Sequence, residues 1–434
     1  MKRLLLHIGT PKTGTTAIQY FLQQNRDTLA KQGISFPLLP RKCSRDIPLN
    51  RNAHFLLALA LDRVKPEKHP EDYLRFAKEN WKAFESVVRE NDTVLLSDES
   101  YWSRYASCLD LWDAVQQLCS EAGFDSVDIY AYLRRQDDYA LSLWNQTIKS
   151  GKRKTMTIEE YLQTQYAAQI LDYDAGIRRL EAAFGREHVH LRVYSRNALH
   201  NGDSRVDFCS FVGIEPSDEF VFTDTTENTR IKADNLVEIK RQANFAQSYL
   251  QTDNFLNNSS KVESSRTEGT TLLPYDLRMR LLAKHAEGNA RIAREYFGRE
   301  DGQLFDPPTG VSKDWEYDSQ TFAYDTVRFF ADAIAREHAD RVKAEKLLKA
   351  ALEQQRRHEK QTARLEQDLA HMEERLECLE RQSRSSSTSP NIIARICHKI
   401  WFLRAQLAPS ASRVRYAFLP TEDSGESRPG SANP

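Results

Sequence analysis

The chain has no long apolar run. None of its 434 residues falls in an uninterrupted hydrophobic stretch approaching the roughly 20 residues of a bilayer-spanning helix, which argues against a transmembrane segment. Met1-Lys2-Arg3 followed by Leu4, Leu5 and Leu6 imitates the start of a signal peptide, but the run ends at His7 and Gly9. That is too short for an h-region, so it reads as a first strand. An excess of one charge is also missing: 61 Lys and Arg face 62 Asp and Glu, a net of −1 that gives no reason to expect nucleic acid as a partner. The six cysteines (Cys43, Cys108, Cys119, Cys209, Cys378, Cys397) form no C-x-x-C pair and no cluster with histidine at metal-ligand spacing. They read as free thiols in a reducing cytoplasm, and no metal site is expected.

What is present is a hydrophobic fraction of 40%, enough for a sizeable core, and an alternation of strand-like runs with helical patterns. Strands are expected over Leu4 to Ile8, Thr93 to Ser97, Val127 to Leu133 and Val189 to Tyr194, with helices such as Leu109 to Ala122 and Asp137 to Ser150 between them. This alternation predicts an α/β fold with a mostly parallel central sheet and helices on both faces.

The first strand leads into Gly9-Thr10-Pro11-Lys12-Thr13-Gly14-Thr15-Thr16, and Ile18, Phe21, Leu22 and Leu29 then recur at helical spacing up to a capping Gly33. A helix start offers backbone N–H groups without intrahelical acceptors, at the positive end of the helix dipole, and so suits an anionic phosphate. The glycines keep the G-x-x-x-x-G spacing of nucleotide-triphosphatase loops. The residue after the second one, however, is Thr15, while the lysine sits inside the loop at Lys12, so a strict match to G-x-x-x-x-G-K-[ST] fails.

A second motif, Tyr132-Leu133-Arg134-Arg135 through Ser142, lies at the end of one strand and the start of a helix, where open α/β sheets bind ligands. A guanidinium matches phosphate bidentately, and a serine hydroxyl on the first turns of the helix adds a neutral donor. Together, the Lys12 loop and the Arg134/Ser142 pair resemble the sulfotransferases that use 3′-phosphoadenosine 5′-phosphosulfate (PAPS) as co-substrate. The resemblance implies a P-loop-like fold and a catalytic Lys12 in a 5′-phosphosulfate loop with Thr13, Gly14, Thr15 and Thr16. It further implies that Arg134 and Ser142 hold the 3′-phosphate and that Tyr194, in Val193-Tyr194-Ser195-Arg196, contacts the base. Asp207-Phe208, Phe211-Val212-Gly213-Ile214 and the segment Asn289-Ala290-Arg291, Tyr296-Phe297, Gly302 to Phe305 extend it over roughly residues 4 to 306.

An acceptor hydroxyl needs a base to take its proton. Glu99, after the strand ending at Ser97, is the first candidate and Asp98 its nearest rival. His54, opening the helical run Phe55 to Leu59, is a substrate-side alternative. A glutamate there leans, by family analogy, toward a carbohydrate or glycolipid acceptor. Two other readings stay open: a nucleotide kinase with a degenerate loop, using Asp98 for magnesium, and a non-catalytic scaffold acting through its C-terminal helices.

Residues 1–310 thus read as the sulfotransferase-like domain, in which the polar stretch Asn254 to Thr271 is a surface loop or a lid. Residues 320–383 read as a long helix whose Leu365, Leu369, Met372, Leu376 and Leu379 form a short heptad seam. Residues 345–381 are accordingly either a solvated helix or a weak self-association coil. Residues 384–391 are a Ser-rich linker, and 420–434 a disordered tail. Between them, 392–408 form a basic amphipathic helix with Trp401, suited either to packing on the protein or to peripheral contact with an anionic membrane face.

Overall fold

The computed structural model describes residues 1–39, 48–66, 69–149, 154–195, 197–223, 234–246, 270–308, 313–383 and 390–407. Most of the polar stretch at 254–271, residues 384–389 of the Ser-rich linker and the whole 420–434 tail lie outside these.

Strand β1 (Arg3–Gly9) carries Leu4, Leu5, Leu6 and Ile8, each at most 1% exposed. It is central in a five-stranded sheet completed by β2 (Ile34–Ser35), β3 (Thr93–Ser97), β4 (Ser126–Leu133) and β5 (Val189–Val193), in the order β2-β3-β1-β4-β5. Every pairing is parallel, with Leu5 opposite Leu95 on one side and Asp128 on the other. A parallel sheet needs both faces covered, and alternate β1 residues enter two different cores. Leu4, Leu6 and Ile8 join one cluster with Phe55, Phe84, Trp102 and Trp144, while Leu5 joins Ile18, Phe21, Leu22 and Phe208 in another. Burial of such a side chain contributes on the order of 1.5–3 kcal/mol, which fixes the strand register against a one-residue slip.

Between the strands run α1 (Thr15–Gln24), α2 (Arg26–Lys31), α3 (His54–Val64), α4 (Glu71–Glu90), α5 (Ser100–Tyr105), α6 (Leu111–Glu121), α7 (Gln136–Lys149), α8 (Ile158–Leu162), α9 (Gln165–Ile170) and α10 (Tyr173–Phe184). After β5 follow α11 (Ser204–Val212), α12 (Asp234–Ala246), α13 (Tyr275–Lys284) and α14 (Ala286–Phe297). The expected α/β architecture, with a helical C-terminal extension, is therefore observed.

One helix differs from expectation. The pattern running to Gly33 is split at Asn25, whose amide donates to Phe21 O (2.8 Å) and Val221 O (2.9 Å) and accepts from the Val221 amide (2.7 Å). The Asn25 backbone still donates to Phe21 O (3.1 Å), but at φ −103 and ψ 14 it leaves the helical conformation and ends α1 there. Gly33, at φ 76, closes α2 instead.

The chain divides into two compact units, Met1–Arg336 and Glu337–Pro434. Helix α15 (Ser319–Ser383) begins in the first, where Phe329 and Ala333 are buried. Within the second unit, Arg404 of α16 (Pro390–Leu407) donates to Glu373 at 2.7 Å, a pairing across 31 positions that requires the chain to reverse. Ile396 and Ile400 are buried on α16, and Leu369, Met372, Leu376 and Leu379 of the heptad seam are half-buried. Trp401 and Phe402 remain 67% and 52% exposed. Among the described residues no helix is long and apolar enough to cross a membrane.

Candidate active site

The connection leaving β1 runs toward β2 at one edge of the sheet, whereas the one leaving its neighbour β4 runs toward β5 at the other. Ligands of open α/β sheets bind at such switch points, outside the strand carboxyl ends. A cleft of about 640 Å3 opens there, lined by Pro11, Lys12 and Gly14 of the loop, by Thr15 to Ala17 at the start of α1, by Glu99, Ser100 and Ser103, by residues of α7, and by Arg134, Tyr161, Tyr166 and Tyr194.

The loop is tied to β4 before any ligand arrives. Thr10 donates to Tyr132 O through both its amide (3.2 Å) and its hydroxyl (3.0 Å), and the Thr13 hydroxyl turns back to Thr10 O (2.5 Å). Thr13, expected among the phosphosulfate-binding residues, is fully buried and does not line the cleft; its hydroxyl is spent on holding the loop. Lys12 adopts φ 69, a left-handed conformation that costs a residue with a Cβ about 1–2 kcal/mol. Gly14, the cap of α1, has φ 76, and a Cβ there would lie 2.7 Å from Ser204 Oγ and 3.4 Å from Tyr194, so this position requires glycine.

Lys12 Nζ donates to Gln146 Oε1 at 2.8 Å. Burial, then Lys149 and Arg134, push its ammonium below the usual lysine range, with Glu99 acting in the opposite sense. An anion placed in the cleft would relieve that repulsion. Arg134 donates to Lys12 O (3.1 Å), and its own carbonyl accepts from the Tyr173 hydroxyl (2.7 Å). Its neighbour Arg135 is engaged by Asp137 at 2.7 Å, so of the two arginines it is Arg134 that faces the cleft with Ser142. Tyr194, whose amide donates to Leu133 O at 2.7 Å, stands over Gly14, and burial raises its phenol above the usual range. A smaller recess of about 200 Å3 shares Arg134 and Tyr194 with the cleft and is closed by Phe305 and Asp306.

Of the acid–base candidates, Glu99 lines the cleft and Asp98 does not. Asp98 is fully buried, with Oδ1 held by Arg51 and by the Ser100 amide (2.7 Å) and Oδ2 by His54 Nδ1 (2.7 Å). Burial alone would raise its carboxyl. Arg51 and His54, with the Ser100 amide, outweigh that and hold it well below the usual carboxylate range. Fully buried and outside the cleft lining, Asp98 is a structural anion rather than a base or magnesium ligand. His54 is not in the cleft lining: it is 7% exposed, placed between Asp98 and the Tyr73 hydroxyl (3.0 Å to Nε2).

Residues that sequence reasoning missed complete the cleft. Asn145, Gln146 and Lys149 stand three, four and seven positions after Ser142 on α7, a helical spacing that was readable once Ser142 had been singled out. Tyr161 and Tyr166, from α8 and α9, carry no such signal. Gln19 and Arg51, which touch Glu99 from behind, are equally silent in the sequence. The closing segment packs as a brace: Asn289 and Gln136 exchange amide bonds at 2.7 and 3.1 Å, and Arg291 joins Asp174, Glu181 and Glu295.

No protein-family model matches the chain. It is 24% identical over 176 residues to an uncharacterized protein of Archaeoglobus fulgidus, a match covering 39% of this chain and 46% of that protein's length. Among solved structures, a sulfotransferase from Alicyclobacillus acidocaldarius is 19% identical at TM-score 0.39, covering 68% of this chain and 96% of that one. The sulfotransferase domain from the curacin biosynthetic pathway is 11% identical at TM-score 0.31, covering 65% and 97%. At such scores these likenesses carry no functional argument of their own.

Proposed function

We propose that this protein is a PAPS-dependent sulfotransferase acting on a hydroxyl or amine of a carbohydrate or glycolipid. The observation that carries the reading is the convergence, in one cleft at the switch point of a parallel sheet, of Lys12, Arg134, Ser142, Tyr194 and Glu99. The motif lysine, the paired arginine and serine, and a carboxylate come from three separate strand ends.

In this reading the acceptor oxygen attacks sulfur in line, forming an O–S bond as the bond from sulfur to the 5′-phosphate oxygen breaks. Glu99 takes the acceptor proton, and adenosine 3′,5′-bisphosphate leaves. Negative charge builds on the bridging and peripheral oxygens, where Lys12 and the amides of Gly14 to Thr16 stabilise it as preorganised donors. Arg134 and Ser142 hold the 3′-phosphate, and the recess between Tyr194 and Phe305 receives the base. Ser103 and Tyr166 bring hydroxyl-bearing side chains to the cleft wall, which supports a polyhydroxylated acceptor.

A cytoplasmic site of action is part of this proposal, with peripheral membrane contact through 392–408, supported by exposed Trp401 and Phe402. Self-association through 345–381 is supported by exposed Leu347, Leu348 and Leu352.

Thermal-shift titration separates the kinase reading from this one, because a ligand that binds the folded state alone stabilises it. Stabilisation by adenosine 3′,5′-bisphosphate and transfer from radiolabelled PAPS to a carbohydrate acceptor are expected. Stabilisation by ATP with magnesium alone would overturn the proposal.

A further inference from the structure

We propose that Gln19 and Arg51 are positioning residues that fix the Glu99 carboxylate in the cleft, one at each oxygen. The inference rests on Glu99 as the base. Gln19 Nε2 donates to Glu99 Oε2 at 2.7 Å, and Arg51 Nη1 stands 3.7 Å from Oε1. The stem of Glu99 is held too: a Cβ on Gly9 would lie 3.1 Å from the Cβ of Glu99, so loop and stem are in close contact. A base works only within hydrogen-bond reach of its proton, and a carboxylate left to rotate spends most of its time elsewhere.

Each clamp is itself anchored. Gln19 is 2% exposed, and the same Nε2 reaches Ser97 Oγ at 3.3 Å. Carboxylate oxygens accept, so the amide must present its NH2 to Glu99. Ser97 Oγ in turn lies 2.9 Å from Nδ1 of His7, a fully buried ring that burial pushes down to about 3 and so keeps neutral. Arg51 is gripped by Asp98 and by the Ser100 hydroxyl, and Asp98 by His54, which accepts from or donates to Tyr73. The buried polar groups His7, Ser97, Asp98 and His54, which the transfer step does not use, thus acquire a common purpose behind Glu99.

Gln19 lies one helical turn beyond Thr15, on the helix whose N-terminus faces the phosphosulfate in the proposed reaction. The loop that binds the donor and the clamp that aims the base are therefore one rigid element. The charged groups acting on this corner are Arg51, Asp98 behind it, and Lys12 in the loop.

Gln19→Met keeps the side-chain length and removes the donor. The expected result is a kcat reduced on the order of 10- to 100-fold, with donor KM and the thermal shift given by adenosine 3′,5′-bisphosphate unchanged. Arg51→Lys, which keeps the charge opposite Asp98 and loses the fork, reads the other oxygen independently and serves if Gln19→Met fails to fold. Its kcat should fall as well, with the same unchanged nucleotide binding.

A folded variant with wild-type kcat would overturn the assignment. So would a lower melting temperature with kcat per folded molecule unchanged, which would mark a role in stability only. A wild-type protein that neither binds the bisphosphate nor transfers sulfate would remove the sulfotransferase reading and this inference with it.

Discussion

Replacing Lys12 separates chemistry from stability, because its backbone and its ammonium make opposite demands. At φ 69 a residue with a Cβ carries about 1–2 kcal/mol of strain that glycine does not. Glycine gives back about 0.5–1 kcal/mol through the freedom it adds to the unfolded chain. The side chain's bond to Gln146 is exposed and contributes little. Lys12→Gly is therefore expected to be more stable than wild type by about 0.5–1 kcal/mol, whereas Lys12→Ala, which keeps the strain, should be near neutral. Both should lose sulfuryl transfer by about 100- to 1,000-fold in kcat, the scale observed when one preorganised donor is removed from a developing negative charge. Urea unfolding monitored by tryptophan fluorescence, alongside single-turnover transfer from radiolabelled PAPS, measures both effects on the same samples. A Lys12→Gly variant that retains activity within about threefold would remove Lys12 from the mechanism. One less stable than Lys12→Ala would refute the strain argument.

Three further outcomes follow from the same geometry. Arg134→Ala should weaken adenosine 3′,5′-bisphosphate binding by about 10- to 100-fold and Ser142→Ala by about 3- to 10-fold, measured by calorimetry; equal effects would contradict a charge-assisted contact beside a neutral one. Gly14→Ala forces a Cβ to 2.7 Å from Ser204 Oγ at a positive φ and should cost about 2 kcal/mol or more, with nucleotide affinity lost in the folded fraction. Asp98→Asn removes the buried carboxylate that Arg51 and His54 share, leaving Arg51 only the longer pairing with Glu99, and should cost about 3–5 kcal/mol at neutral pH. Because the folded Asp98 carboxyl is held below its unfolded value, its stabilisation is present above about pH 4 and lost as pH falls toward the folded value. The gap between wild type and Asp98→Asn should therefore narrow on acidification, and a constant gap would contradict the ionised assignment.

The parts of the site that the sequence made legible are those where backbone and contact chemistry coincide locally. Gly9 to Thr16 had to be a turn between a buried strand and an amphipathic helix, and Arg134 to Ser142 had to straddle a strand end, so adjacency along the chain already implied the geometry. The strand boundaries were readable for a related reason: a fully buried parallel strand leaves a mostly apolar run such as Leu4, Leu5, Leu6 and Ile8.

What stayed hidden depends on pairing across long separations. Asp98 and Glu99 are consecutive and chemically alike, and nothing local distinguishes them. The distinction is made by Arg51 and His54, which close on Asp98 from about 45 residues away, while Gln19, 80 residues from Glu99, takes hold of its neighbour. His54 illustrates the same point from the other side. A histidine opening a helix near a strand end has the composition of a catalytic group. Only the position of Tyr73, on the next helix, shows both ring nitrogens engaged inside the fold. Within one strand end, the residue committed to holding the structure is thus separated from the residue available for chemistry by which of them is wholly buried and which is left lining the cleft, a property of the tertiary fold rather than of local spacing.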